Sequence, residues 1–303
     1  MNNKFRRILS VLLCALLILF AGTSAVYADD SPAACETAAE EFVCDIYDLP
    51  EESADSYEKK GDDALNYFII GDSIARGSGL YNYEDACYGK IIADTNGYNY
   101  VNYGVDGLTS GKLLNLLKKQ SVLNDLAEAD IINLSIGGNN YFRGGNLLKV
   151  LVLGGVLKMD SVLDEVLDPF YRDFCKAIEI FRETSPDAVI LVQTLYNPLT
   201  GVLSPVTKYI IDRLNDCFYR YVEENPGVIT LVDVASKLNG HGYYFAIIHP
   251  TVSGNLEIAK TLLNTLYDMG LGKSKTPVIT TRGLNTIEYL GGCILNPTKL
   301  LPI

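Results

Sequence analysis

Only two histidines occur among the 303 residues, His241 and His249, so a reaction that needs an imidazole base has two candidates. His249 stands in Phe245-Ala246-Ile247-Ile248-His249-Pro250-Thr251, just ahead of a helical pattern. The proline restricts the backbone before it and fixes where the ring emerges. His241 lies in Gly240-His241-Gly242, a turn sequence, and reads as a surface residue. A partner for His249 stands at the other end of the body, in Gly71-Asp72-Ser73-Ile74-Ala75-Arg76-Gly77. That stretch follows the apolar run Tyr67–Ile70 without a break. The glycine permits a sharp turn, and Ser73 then offers its hydroxyl at a helix start, where negative charge is favoured. An ordinary helix-capping serine has the same local look. Two more loops offer N–H donors: Gly107 in Gly104-Val105-Asp106-Gly107-Leu108-Thr109-Ser110, and Asn139 in Gly137-Gly138-Asn139-Asn140-Tyr141. A hydroxyl, an imidazole and a set of fixed donors are the parts of acyl transfer through a covalent intermediate.

Each of these stretches follows a short apolar run. Strands are expected at Tyr67–Ile70, Tyr98–Tyr103, Asp130–Ile136, Ala188–Thr194 and Val228–Val232. Amphipathic helices are expected over 85–95, 109–128, 161–184, 205–224 and 253–269. In the last, Leu256, Ala259, Leu262, Leu263 and Leu266 recur at helical spacing. Ser204-Pro205 marks a helix start and Ser185-Pro186 a helix end. Alternating strands and helices give a parallel, doubly wound sheet with helices on both faces. In such a sheet ligands bind beyond the carboxyl ends of the strands, which is where the four polar stretches fall.

In order and spacing, the four blocks around Ser73, Gly107, Asn139 and His249 resemble the GDSL/SGNH hydrolase family. The likeness covers about Asn66 to Gly272, and Tyr196-Asn197-Pro198 adds to it. The resemblance implies a flavodoxin-like three-layer α/β/α sandwich with a five-stranded parallel sheet. It implies hydrolysis of ester, thioester or related acyl bonds with no metal and no cofactor. Ser73 would be the nucleophile, His249 the general base, and Ser73, Gly107 and Asn139 the oxyanion-hole donors. Two positions depart from the pattern. The acid usual three residues before the histidine is Ala246, and the acid usual after the third block's asparagine is Asn140. A triad acid orients the imidazole and stabilises its charged form. Without it, a main-chain carbonyl, a water or a distant acid such as Asp233 must do so; the expectation is a Ser–His dyad backed by a backbone carbonyl, with a weaker base.

The rest of the chain frames that domain. Residues 1–28 carry Lys4, Arg6 and Arg7, then an apolar run from Ile8 to Phe20, then small residues ending at Val26-Tyr27-Ala28. This is the pattern of a secretory signal peptide cleaved after Ala28, and the run is short for a membrane anchor. No later stretch reads as a transmembrane segment. Residues 29–64 hold 13 acids against two lysines and read as a solvated acidic extension, residues 65–272 as the hydrolase domain, and 273–303 as a tail. The formal net charge is −12, which disfavours nucleic acid as a partner. Cys35, Cys44, Cys87, Cys175, Cys217 and Cys293 remain after the signal, an even set for an oxidising compartment, with Cys175 and Cys217 readable as buried thiols. No C-x-x-C pair exists, and two histidines leave little for a zinc site.

These readings converge on a secreted esterase or lipase-like enzyme acting on small-molecule or lipid esters. A catalytically silent binding protein on the same fold and a polysaccharide O-deacetylase are the alternatives. The apolar insert from Asn146 to Met159 begins beside Asn139 and reads equally as an acyl-chain lid or as a core helix.

Overall fold

The computed structural model describes residues 57–80, 82–141, 147–246 and 248–279. The expected signal peptide, most of the acidic extension, Cys35, Cys44 and Cys293, and the end of the tail lie outside the described residues. Five strands form one parallel sheet: β1 (Asn66–Gly71), β2 (Asn99–Gly104), β3 (Ile131–Ser135), β4 (Val189–Gln193) and β5 (Thr230–Val232). Their order across the sheet is β2-β1-β3-β4-β5, the flavodoxin-like arrangement. A central parallel strand is covered on both faces and needs a continuous apolar run. Accordingly Tyr67, Phe68, Ile69 and Ile70 of β1 are all fully buried.

Alternate residues serve opposite layers. Phe68, Ile70, Ile132, Leu134, Ile190 and Val192 pack with α4 (Ser110–Leu116), α5 (Gln120–Ala127), α7 (Asp160–Thr184) and α8 (Ser204–Glu224). Tyr67, Ile69, Ile131 and Leu191 pack with α3 (Tyr88–Asn96) and α10 (Val252–Asp268), whose Ile258, Leu262, Leu263 and Leu266 are fully buried. Each such side chain contributes roughly 1.5–3 kcal/mol on burial.

The helical run expected over 109–128 is two helices. Leu117 ends α4 and Lys119 turns extended to start α5, so Leu116 and Leu117 and then Val122 and Leu126 all reach the same core. The run expected at 85–95 also breaks. Cys87 is extended between α2 (Tyr83–Ala86) and α3, and Asn255 of α10 accepts the Tyr88 N–H at 3.1 Å in place of a local cap. The described fold begins inside the segment read as the extension. Tyr57 is buried with its hydroxyl on the Asp125 carbonyl, and Glu58 exchanges backbone hydrogen bonds with Tyr100 at the sheet edge. Residues 273–279 likewise return along α3, with Lys273 N–H on Asn96 and Val278 N–H on Thr95.

The insert is helical, as α6 (Leu147–Lys149) and a π-helical stretch (Val150–Val156). It seats on α7 and α8: a Cβ at Gly154 would meet Leu163, and one at Gly155 would meet Val206 and Ile210. Val150 is buried while Leu148 and Leu157 stay about half exposed, so packing fixes one side of the segment. Among the described residues Cys87, Cys175 and Cys217 are free, and no helix is long and apolar enough to cross a membrane.

Candidate active site

The site is built where β1, β2 and β3 end. At Gly71 the strand passes so close to β3 that a Cβ would fall 2.2 Å from the Ser135 carbonyl oxygen, so only glycine fits. Asp72 then caps the one-turn helix α1 (Ser73–Arg76), its carboxylate accepting the Ile74 N–H at 3.0 Å. This leaves Ser73 as the first helical residue, with its hydroxyl turned toward the far end of the chain.

That far end is a small hairpin, β6 (Phe245–Ala246) paired antiparallel with β7 (His249–Pro250). Its strands are held by Tyr196, which stacks on Phe245 at 4.7 Å and donates its hydroxyl to the Ile248 carbonyl at 3.1 Å. Thr251 caps α10 directly behind. The result brings His249 Nε2 to 3.1 Å from Ser73 Oγ, across 176 residues of sequence. Both residues are buried. The expected meeting of this serine and this histidine is therefore present.

Burial holds the His249 imidazole below its ordinary 6.5, and the Asp106 carboxylate opposes part of that shift through its charge. Among the described residues no carboxylate ion-pairs with the ring. Ala246 lies directly opposite His249 in the hairpin, where the acid of the family pattern is missing. Asp233 accepts the Ser236 N–H at 3.0 Å, just ahead of α9 (Ala235–Leu238), and makes no ion pair with the ring. His241 is exposed, edge-on to Tyr243 and Tyr244.

The donor loops stand on the other side. Gly107 has a φ of +67°, a left-handed backbone that favours glycine, and nothing lies within 4 Å of where its side chain would be. Asn139 is on the 3₁₀ turn after β3 (Gly138–Tyr141), and its Nδ2 donates to the Leu108 carbonyl at 3.2 Å, one residue beyond Gly107. An amide nitrogen carries two hydrogens, so one remains for another acceptor.

Two acidic groups went unassigned in the sequence. Asp106 accepts hydrogen bonds from Arg76 and Ser78, tying the Gly107 loop to the segment after Ser73. Asp72 is buried, and desolvation first, then the like charge of Asp106, pushes its carboxyl up to about 7. Adjacency to Ser73 was a signal for Asp72. Nothing local marks Asp106 as the charge that reaches His249.

A model of the GDSL-like Lipase/Acylhydrolase family matches residues 69–256 of this chain. Among curated proteins, an uncharacterised protein of Bacillus subtilis (strain 168), YpmR, is 27% identical over 160 residues, which is 50% of this chain and 60% of that protein. The match thus spans less than two thirds of that relative. Among solved structures, the lipase Lip_vut3 from a goat rumen metagenome superposes with a TM-score of 0.54 at 19% identity, covering 69% of this chain and 99% of that one. A catalytic mutant of the acetylxylan esterase Axe2 from Geobacillus stearothermophilus superposes with a TM-score of 0.51 at 18% identity, covering 71% and 97%. These likenesses establish a shared fold. One fold here carries a lipase and a sugar-ester hydrolase, so fold alone does not choose the substrate.

Proposed function

The chain belongs to the GDSL-like lipase/acylhydrolase family, and from that premise we propose that it is a secreted serine hydrolase of carboxylic esters, with Ser73 as nucleophile and His249 as general base. The observation that carries the reading is the 3.1 Å approach of Ser73 Oγ to His249 Nε2. Ser73 Oγ attacks the acyl carbonyl as His249 Nε2 takes the hydroxyl proton. The carbonyl oxygen gains negative charge and is met by N–H groups of Ser73, Gly107 and the Asn139 side chain. Each such donor is worth roughly 2.7–4 kcal/mol at the transition state. The tetrahedral species expels the alcohol, which takes the proton back from His249. Water then attacks the acyl-serine by the same route, releasing the acid and restoring Ser73.

Burial of His249 keeps the ring neutral, and so able to accept a proton, at neutral pH. The absence of an acid at position 246 makes it a weak base rather than no base. Secretion rests on the leader-like residues 1–28. An O-deacetylase of polysaccharide is the second reading, compatible with the fold shared with Axe2. A fluorophosphonate probe should label the wild-type protein and not Ser73→Ala. Labelling that survives this substitution overturns Ser73 as the nucleophile, and a wild type inert to the probe and to every p-nitrophenyl ester from acetyl to palmitoyl overturns the proposal in favour of a binding protein. The ester series also separates the two readings, because a deacetylase collapses beyond the shortest acyl groups. Leu148, half exposed on the insert, tests the acyl wall: Leu148→Ser lowers turnover of long-chain esters selectively if the insert touches the chain.

A further inference from the structure

Behind the Gly107 loop runs a chain of hydrogen bonds that the reaction scheme does not use. Ser110 opens α4 and is 1% exposed. Its Oγ donates to Asp173 Oδ2 at 2.7 Å, on α7 and 63 residues away. Asn140 donates its Nδ2 to the same Ser110 Oγ at 2.9 Å, and its Oδ1 accepts the Ser110 N–H at 3.2 Å. The direction of this chain is fixed by chemistry. A carboxylate only accepts, so the Ser110 hydrogen must point to Asp173, and the Ser110 lone pair must then take a hydrogen from Asn140.

The ends of the chain matter because of what is next to them. Ser110 is three residues after Gly107, and Asn140 immediately follows Asn139. The Asn139-to-Leu108 hydrogen bond spans the same two segments from the front. Two loops from different strands are thus clamped at two points, and the anchor is a helix packed on the core rather than another loop. Donors aimed at a developing charge need fixed separation, and a misplacement of about 1 Å can cost on the order of a hundredfold.

We infer that Asp173, acting through Ser110 and Asn140, is a positioning residue that sets the spacing between the Gly107 N–H and the Asn139 side-chain N–H. The inference rests on the ester-hydrolase reading for its kinetic consequence and on the hydrogen bonds for its structural one. The test exploits direction. Asn140→Asp leaves two carboxylates competing for one serine hydrogen and should lower kcat on the order of tenfold or more, with KM within about threefold. Asp173→Asn alone still offers an accepting oxygen and should cost much less. The double variant Asn140→Asp/Asp173→Asn reverses the chain: the new asparagine donates to Ser110, which donates to the new aspartate. It should recover kcat to within about threefold of wild type.

Amide hydrogen exchange over residues 104–116 gives a readout that needs no turnover. It should quicken in Asn140→Asp and return to the wild-type rate in the double variant. A double variant no better than Asn140→Asp in kcat, or unchanged exchange in Asn140→Asp, overturns the inference. If the wild type hydrolyses no ester, the enzymatic reading fails and the exchange data alone decide whether the clamp exists.

Discussion

The two flanks of the site are held by different physics. On the donor side, polar side chains do the holding: Asp106 accepts from Arg76 and Ser78, Asn139 reaches Leu108, and Ser110 joins Asn140 to Asp173. On the base side, His249 rides a hairpin of two-residue strands, fixed by the Tyr196 ring and by main-chain pairing, with alanine where an acid would stand. The donors are therefore rigid and well supplied with charge. The base is placed by one ring stack and by hydrogen bonds to and within the main chain, and burial leaves its proton affinity depressed. On the proposed mechanism, the contrast puts the weaker support behind the base rather than behind the donors.

The comparison can be broken from either flank. On the donor side a loss is expected, smaller than that from removing Ser73 or His249: Asn139→Ala should lower kcat by about 10²–10³-fold with little change in KM. Steady-state kinetics on p-nitrophenyl acetate checks this, and a loss confined to KM would mean that Asn139 only binds substrate. On the base side a gain is expected. Directly opposed residues in an antiparallel pair share a face, so Ala246→Asp puts a carboxylate beside the imidazole. Wild-type kcat/KM should fall in acid with a midpoint below 6.5, because burial disfavours the protonated ring. Ala246→Asp should move that midpoint upward and raise kcat by about tenfold or less. An unmoved midpoint would show that the ring does not feel position 246.

The smallest effect belongs to Asp72, between the flanks. Its folded-state pKa, about 7, lies above the ordinary carboxylate value, so the folded protein holds a proton that the unfolded chain has lost. Stability contributed by that proton is complete at low pH and is lost as pH rises toward and past 7. Asp72→Asn keeps an accepting oxygen for the Ile74 N–H and removes the buried charge. It should raise the melting temperature by several degrees at pH 8 and by little at pH 4. Equal shifts at both values would assign the effect to packing instead. For His249 the sign is opposite: its folded pKa is lowered, so the stability it carries is present above about 6.5 and is lost as pH falls.

Much of this arrangement was legible in the chain. Five apolar runs gave five strands, the three central ones buried almost throughout, and the meeting of Ser73 with His249 agrees with the rule that sites lie past strand ends. The turn at Leu117–Lys119 was not legible, since periodicity does not register a helix that bends to keep the same core. Nor was the link from Asp173 to Ser110, because a helix surface aspartate carries no local mark of a partner 63 residues away. The charge reaching His249 was sought at position 246 and at Asp233, and it comes from Asp106, in a loop quoted only for its glycines. Tyr196 was noted in its block, but its grip on the histidine hairpin is a matter of tertiary contact.

The claim beneath all of this is that Ser73 and His249 act as one unit. A double-mutant cycle measures that directly, using Ser73→Ala, His249→Ala and the pair, each assayed for kcat on one soluble ester. The account predicts that either single change removes nearly all turnover and that the double variant is no worse than either one, because a unit is lost only once. Two moderate losses that multiply in the double variant would mean that the residues work independently, and would contradict it.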